Sequence, residues 1–143
     1  MSNDPIPQWD QLPQIPWSQA IERCAQKFLT MEQTECKLTH LFEGNLYIRE
    51  IRIPAETYFI GRIHKEGHVC QLLEGTLVLI HQQNVSECFL APSQIMTQPG
   101  YQMALYTITD CVARTVHPNP QQLRDLDRLE TQFFEPSPMK ILP

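Results

Sequence analysis

The short segment Gly61–Gly75 contains an arginine and two histidines, side chains that can bind an anion or a metal. Arg62 and His64 precede the turn Lys65–Gly67, and His68 follows it. Side chains alternate along a strand, so a hairpin in register would turn both histidines toward the same interior. Two inward imidazoles can chelate a divalent metal if a third ligand joins them. The alternative is a neutral, hydrogen-bonded polar cluster lining a pocket.

Two roles are open for Arg62. An arginine beside a pocket mouth suits an anionic group such as a carboxylate or phosphate. A structural ion pair with a neighbouring carboxylate is the alternative. His40 and His81 stand singly near strand ends, where we expect them to face solvent.

Other catalytic arrangements have less support. Cys70 shares a face with His68, which would permit a Cys–His nucleophile, but a small core residue on a strand is the simpler interpretation. The cysteines are odd in number and contain no CxxC pair, which predicts reduced core thiols in a cytosolic protein. They are Cys24, Cys36, Cys70, Cys88 and Cys111. The chain has no GxSxG, P-loop or GxGxxG motif.

The elements that must position these residues are short strands separated by turn residues. Many short strands at ~8–12-residue spacing are typical of an all-β sandwich or barrel. The apolar runs are 36–40, 46–53, 57–64, 68–73, 76–81, 85–90, 93–97, 101–107 and 111–117. We therefore predict one all-β sandwich or barrel over residues 35–118.

Helical periodicity flanks the predicted barrel on both sides. Residues 18–33 read as an amphipathic helix with Ser18 as its N-cap. Residues 119–143 read as a short C-terminal helix and tail, with Asn119 as N-cap and Pro120 in the first turn.

Residues 1–17 form a proline- and tryptophan-rich arm in which helix is disfavoured. Tryptophan is unusual in a disordered tail, so we expect the arm to pack on its own barrel or on a neighbouring subunit. The second option predicts a homo-oligomer. Deleting residues 1–17 should then lower the oligomeric state measured by light scattering, and an unchanged mass would refute the idea.

Length and charge narrow the classes of function. The 143 residues fit one domain, and the formal net charge of -5 argues against a general nucleic-acid binder. No run approaches the ~18 apolar residues of a membrane span. The first residues lack a basic region followed by an apolar one, so we expect no secretory signal.

The segment ending in Leu73-Glu74-Gly75 resembles the first motif of the cupins. Alignment on that turn places His64 on the second motif histidine, Arg62 on the first and His68 on the glutamate. The second cupin motif falls near 98–103, where Met103 stands in place of a histidine. Only His64 is retained among the metal positions. The resemblance implies a single cupin-like jelly-roll barrel over residues 35–118, with a pocket that contains these residues.

A second resemblance covers residues 38–117. The segments 47–55, 61–65, 99–100 and 115–118, together with His68, are similar to a family of small cupin-like proteins common in bacteriophage genomes. This resemblance implies a phage origin, with a location in the bacterial host cytoplasm or the virion. The family carries no settled activity.

His117 is the best candidate for a third metal ligand. It lies on the last strand and shares a face with Cys111, Ala113 and Thr115. Periodicity leaves open whether that face points inward. The predicted metal set is His64, His68 and His117, binding Zn, Fe or Mn.

The sequence favours a non-catalytic, oligomeric structural or binding protein, either a virion component or a host-interacting protein. Its partner would be a small anionic ligand or another phage or host protein. The alternative is a metal-dependent cupin enzyme, and a DNA-binding regulator has little support. The predicted pocket comprises Arg62, His64, His68, Cys70, Met103 and His117.

Overall fold

A computed structural model describes residues 17–80 and 86–136. Two helices and nine strands occur within these residues. They are α1 (Trp17–Leu29), β1 (Lys37–Glu43), β2 (Leu46–Ile53), β3 (Tyr58–Ile60), β4 (Val69–Glu74), β5 (Thr76–Ile80), β6 (Ser86–Leu90), β7 (Ser93–Met96), β8 (Ala104–Thr107), β9 (Cys111–Pro118) and α2 (Leu126–Phe133). The predicted arm up to residue 16, His81 and the tail after residue 136 lie outside the described residues.

The strands form two antiparallel sheets that face each other. One sheet has the order β1-β2-β9-β4-β7, and the other has the order β3-β8-β5-β6. No ladder joins the two sheets within the described residues. The predicted jelly-roll architecture is therefore present, but as a two-layer sandwich rather than a closed barrel.

Alternation along the strands places the core between the sheets. Ile53, Leu72 and Cys111 project inward from the five-stranded sheet, and Leu79 and Leu105 project from the other. Each of these five residues is at most 6% exposed. This apolar layer joins the sheets, since burying one such side chain contributes roughly 1.5–3 kcal/mol.

The predicted hairpin around Lys65–Gly67 is wrong. The strand predicted over 57–64 is regular only from Tyr58 to Ile60, and β3 pairs with β8. β4 pairs with β7 and β9 in the opposite sheet. The turn therefore carries the chain from one sheet to the other.

α1 lies on the outer face of the four-stranded sheet. Ile21 and Ala25 pack against Ile60 and Ala104, whose side chains alternate away from the inner core. The helix begins at Trp17, so Ser18 lies in its first turn and is not the predicted N-cap. It ends at Leu29 rather than near residue 33, because the next amides bond three residues back, as in Thr30 N to Lys27 O at 3.0 Å.

α2 begins later than the sequence predicts. Its N-cap is Asp125, whose carboxylate accepts from the amides of Asp127 and Arg128 at 3.1 and 3.4 Å. Asn119 instead closes a turn, because its side chain bonds both backbone groups of Leu123 at 2.9 and 3.0 Å. The side chain thus holds a turn where a helix was expected.

All five cysteines are free thiols in the described structure. Cys111 is buried, and Cys36 and Cys70 are half-buried. Cys24 and Cys88 are exposed, so the prediction that every cysteine occupies the core is wrong for these two. Cys24 is exposed on α1 although it follows the buried Ile21 by three residues.

Candidate functional site

A cavity of about 80 Å³ lies between the sheets, near the point where α2 ends. Most of the predicted pocket residues line it, namely Arg62, His64, His68, Cys70 and Met103. His117 lies behind them, 2% exposed, with its ring centroid 5.2 Å from that of His68. The structure thus brings the predicted residues together, although the predicted hairpin does not form.

The crossover between the sheets positions His64. The Gly61 amide donates to the Met103 carbonyl at 2.8 Å, and the Gly100 amide donates to the His64 carbonyl at 2.8 Å. These bonds extend the β3–β8 contact irregularly past the strand ends. They hold Arg62, His64 and Met103 at the cavity wall.

His68 is fixed from the opposite side by Thr97. The Thr97 amide donates to the His68 carbonyl at 3.0 Å, and Thr97 Oγ1 lies 2.8 Å from His68 Nδ1. The preceding Gly67 has no room for a side chain, since a Cβ there would lie 2.6 Å from the Thr97 carbonyl oxygen. Glycine at this turn therefore lets the strand reach Thr97 and orients the imidazole.

The three histidine rings form a stack. The centroids of His64 and His68 are 3.6 Å apart with 25° between the planes, and those of His64 and His117 are 5.5 Å apart at 11°. Burial, followed by the neighbouring imidazoles, lowers the pKa of His64 to about 2. Burial, followed by His68, lowers the pKa of His117 to about 3. The pKa of His68 is lowered as well, by burial. The stack is neutral at physiological pH.

This geometry does not fit the metal that the cupin resemblance implies. Imidazole nitrogens bind a metal in the ring plane at ~2.0–2.1 Å, so three ligands must aim their ring edges at one point. The rings of His64 and His68 lie face to face with their centroids 3.6 Å apart, so their edges do not converge on one point. Within residues 17–80 and 86–136, no group of three His, Cys, Asp or Glu side chains is arranged to hold a metal ion. The stack of His64, His68 and His117 therefore does not have the geometry of the predicted metal centre.

Arg49 is a site residue that the sequence analysis missed. It lies on β2, is 6% exposed and points into the cavity. Its guanidinium carbon lies 4.3 Å from the centroid of the Phe134 ring, and that of Arg62 lies 4.8 Å from it. Burial lowers the pKa of Arg49, although a guanidinium stays charged at neutral pH. The sequence did contain a signal for Arg49, because it is the one charged residue on a strand face that also carries Tyr47, Ile51 and Ile53.

The charges at the cavity do not cancel. Arg62 Nη1 lies 3.4 Å from Glu130 Oε2, whereas Arg49 forms no ion pair within the described residues. Arg114, which also lines the cavity, is paired with Glu50 at 2.8 Å. Two guanidinium groups, Arg49 and Arg62, thus face one carboxylate, Glu130. One positive charge is left over.

Five buried polar atoms around the cavity lack a hydrogen-bond partner within the described structure. Each belongs to a residue that lines the cavity wall. They are Arg49 Nη1, Arg62 Nε, His64 Nε2, His68 Nε2 and Tyr101 Oη. Native proteins leave few such groups unsatisfied, so five around one cavity indicate that something else bonds them. Tyr101 was also missed, although it lies in the predicted run 101–107 and two residues before Met103, on the same strand face.

The remaining lining offers little for proton transfer or nucleophilic attack. No Asp or Glu lines the cavity within the described residues. Burial raises the pKa of the Cys70 thiol to about 11, which keeps it protonated and inert. His40, expected in solvent, is half-buried, and its Nδ1 lies 2.7 Å from Tyr47 Oη.

Several solved structures are similar to this chain at low sequence identity. A cupin-2 domain protein from Shewanella frigidimarina is 14% identical, with 65% of this chain and 89% of that chain covered at a TM-score of 0.47. A putative ethanolamine utilization protein, EutQ, from Salmonella typhimurium is 15% identical, with coverage of 61% and 72% at a TM-score of 0.50. The polyketide cyclase RemF from Streptomyces resistomycificus is 18% identical, with coverage of 59% and 66% at a TM-score of 0.51.

The fold is a jelly roll of two antiparallel sheets, similar to the folds of EutQ and RemF. At these identities the likeness shows the fold alone and says nothing of an activity. No family model and no curated protein matches the chain. The predicted phage origin of this cupin-like protein therefore stays a prediction. No helix within the described residues is long and apolar enough to cross a membrane.

Proposed function

We propose that this cupin-like protein is a non-catalytic binding protein for a small anion, held in the cavity between its sheets. The observation that carries the proposal is the buried guanidinium of Arg49, which has no ion pair within residues 17–80 and 86–136. Burying an ion without a partner costs several kcal/mol, which an anionic ligand would offset. Arg62 Nε and Tyr101 Oη add two donors without partners in the described structure at the same wall.

The electrostatics favour binding over catalysis. General bases work best when their pKa lies near the operating pH, whereas burial lowers the pKa values of His64 and His117 to about 2 and 3. The neutral imidazoles of His64 and His68 can orient a ligand through their Nε2 atoms without changing its charge. The single surplus positive charge suits a monoanion.

Calorimetric titration with butyrate and with inorganic phosphate tests the proposal and separates a carboxylate site from a phosphate site. Arg49→Met and Arg62→Met should each weaken binding roughly 10–150-fold, because a hydrogen bond to a charged group contributes about 1.5–3 kcal/mol. Arg52→Met is the matched control, since Arg52 lies on the same strand and is exposed. Equal affinity in all three variants, or no binding of either anion to the wild type, would refute the proposal.

The predicted phage origin, oligomer and arm contact are separate from this proposal and are tested separately. Mass spectrometry of purified particles would detect a virion component at many copies, whereas a host-directed protein would be absent from them.

A further inference from the structure

The inner surface around the anion site changes character along the strands. Cross-strand partners on the five-stranded sheet are Arg49 with Thr115, then Ile51 with Ala113, then Ile53 with Cys111. Each step of two residues advances about 6.6 Å along the strand. The wall is therefore polar at the arginine row and apolar in the next two rows.

A second cavity of about 40 Å³ lies beside the first, toward β4 and β7. Its apolar lining includes Leu72, Leu77, Leu79, Phe89 and Ile95. Four residues line both cavities and form the partition between them, namely Cys70, Met103, Leu105 and Ala113. Met103 is unbranched and flexible, which lets such a side chain adapt to what lies beside it.

We infer that the ligand is an amphipathic anion whose apolar chain runs from the arginine row past Met103 toward the second cavity. This inference rests on the proposed anion site and adds the chemical class of its ligand. A compact inorganic anion would satisfy Arg49 and Arg62 but leave the apolar rows and the second cavity without contacts. An anionic head with an aliphatic body matches both parts of the wall.

Titration of the wild-type protein with acetate, butyrate, hexanoate and octanoate tests this inference. Each buried methylene contributes up to ~0.8 kcal/mol, or roughly fourfold in affinity, so octanoate should bind at least roughly tenfold more tightly than butyrate. Octan-1-ol, which lacks the charge, should bind more weakly than octanoate.

Ile95→Phe locates the chain, because Ile95 lines the second cavity and not the first. The larger ring should lower octanoate affinity roughly tenfold and leave butyrate within about twofold, since only the longer chain reaches this cavity. Ile95→Leu, which keeps the volume, should behave as the wild type.

The outcomes separate the two proposals. Anions that bind with no dependence on chain length would overturn the amphipathic ligand and leave the anion site intact. Absence of binding by every carboxylate would overturn the amphipathic ligand, and it would overturn the anion site as well if phosphate also fails to bind. Equal binding of octanol and octanoate would overturn both proposals. The wild-type series decides without the variant if Ile95→Phe fails to fold.

Discussion

Replacing Arg49 with methionine should make the unliganded protein more stable. The guanidinium is 6% exposed, has no ion pair within the described residues and leaves Nη1 without a partner there. Methionine has an unbranched, flexible, apolar side chain and carries no charge. The substitution thus removes a buried ion whose desolvation costs several kcal/mol.

The loss of the contact with Phe134 opposes this gain. A desolvated cation–π contact stabilises by about 2 kcal/mol. The difference leaves a net increase of about 1–3 kcal/mol in the free energy of unfolding, similar to other replacements of buried charges by apolar residues. For a chain of this length, each kcal/mol corresponds to roughly 3–5 °C in Tm.

Urea and thermal denaturation of the wild type, Arg49→Met and Arg52→Met provide the measurement. Arg52→Met should stay within about 0.5 kcal/mol of the wild type, because its side chain is exposed. A saturating anion should stabilise proteins that retain Arg49 by about 2.7 kcal/mol at 100 times the Kd, and at the same concentration it should stabilise Arg49→Met by at most about 1.4 kcal/mol. An Arg49→Met variant at least about 1 kcal/mol less stable than the wild type would refute the reasoning, because Arg49 would then be a structural residue.

Three other perturbations have expected outcomes. The pKa values of His64 and His117, about 2 and 3, lie below the ~6.5 of an unfolded chain, so only the unfolded state takes up these protons as the pH falls. The free energy of unfolding should therefore be highest above pH ~6.5 and should decrease by roughly 2–3 kcal/mol per pH unit below it. The His117→Gln variant should show a shallower slope. Gly75→Ala should lower the free energy of unfolding by more than about 3 kcal/mol, because a Cβ would collide with the Asp110 carbonyl oxygen. Gly44 also has a positive φ but has open space around it, so Gly44→Ala should lower the free energy of unfolding by only about 1–2 kcal/mol. Elemental analysis of protein purified without a histidine tag should find less than one metal ion per chain, and the same amount in His64→Ala. One metal ion per chain in the wild type that is lost in His64→Ala would contradict the stacked-ring geometry.

The all-β class follows from local patterns, which is why the sequence predicts it, whereas the jelly roll was predicted only through the cupin resemblance. Period-two alternation and turn residues mark most of the strands without reference to their partners. Pairing is a long-range property, and the turn at Lys65–Gly67 looks the same whether it closes a hairpin or joins two sheets. The predicted meeting of His64 and His68 holds because the crossover returns the chain over the same interior.

Two site residues, Arg49 and Phe134, were missed by the sequence analysis for different reasons. Arg49 could have been found as the one charged residue on an otherwise apolar face of β2. Phe134 could not, because it follows α2 and reaches the site through bonds from distant segments, such as Lys65 N to the Phe133 carbonyl at 2.9 Å. The start of α2 was missed because Asn119 uses its side chain to stabilise a turn, a choice that depends on tertiary contacts.

The residue types at the site support the proposed anion binding without a metal. A guanidinium keeps its charge when buried, whereas an imidazole loses its charge, as the lowered pKa values of the three histidines show. Arg62 stands where the cupin resemblance places a metal-binding histidine, and Arg49 faces the same cavity from the opposite sheet. The positive charge that a metal would supply in a cupin is here fixed in the side chains. Such a site should attract anions without a metal and should keep doing so after treatment with a chelator.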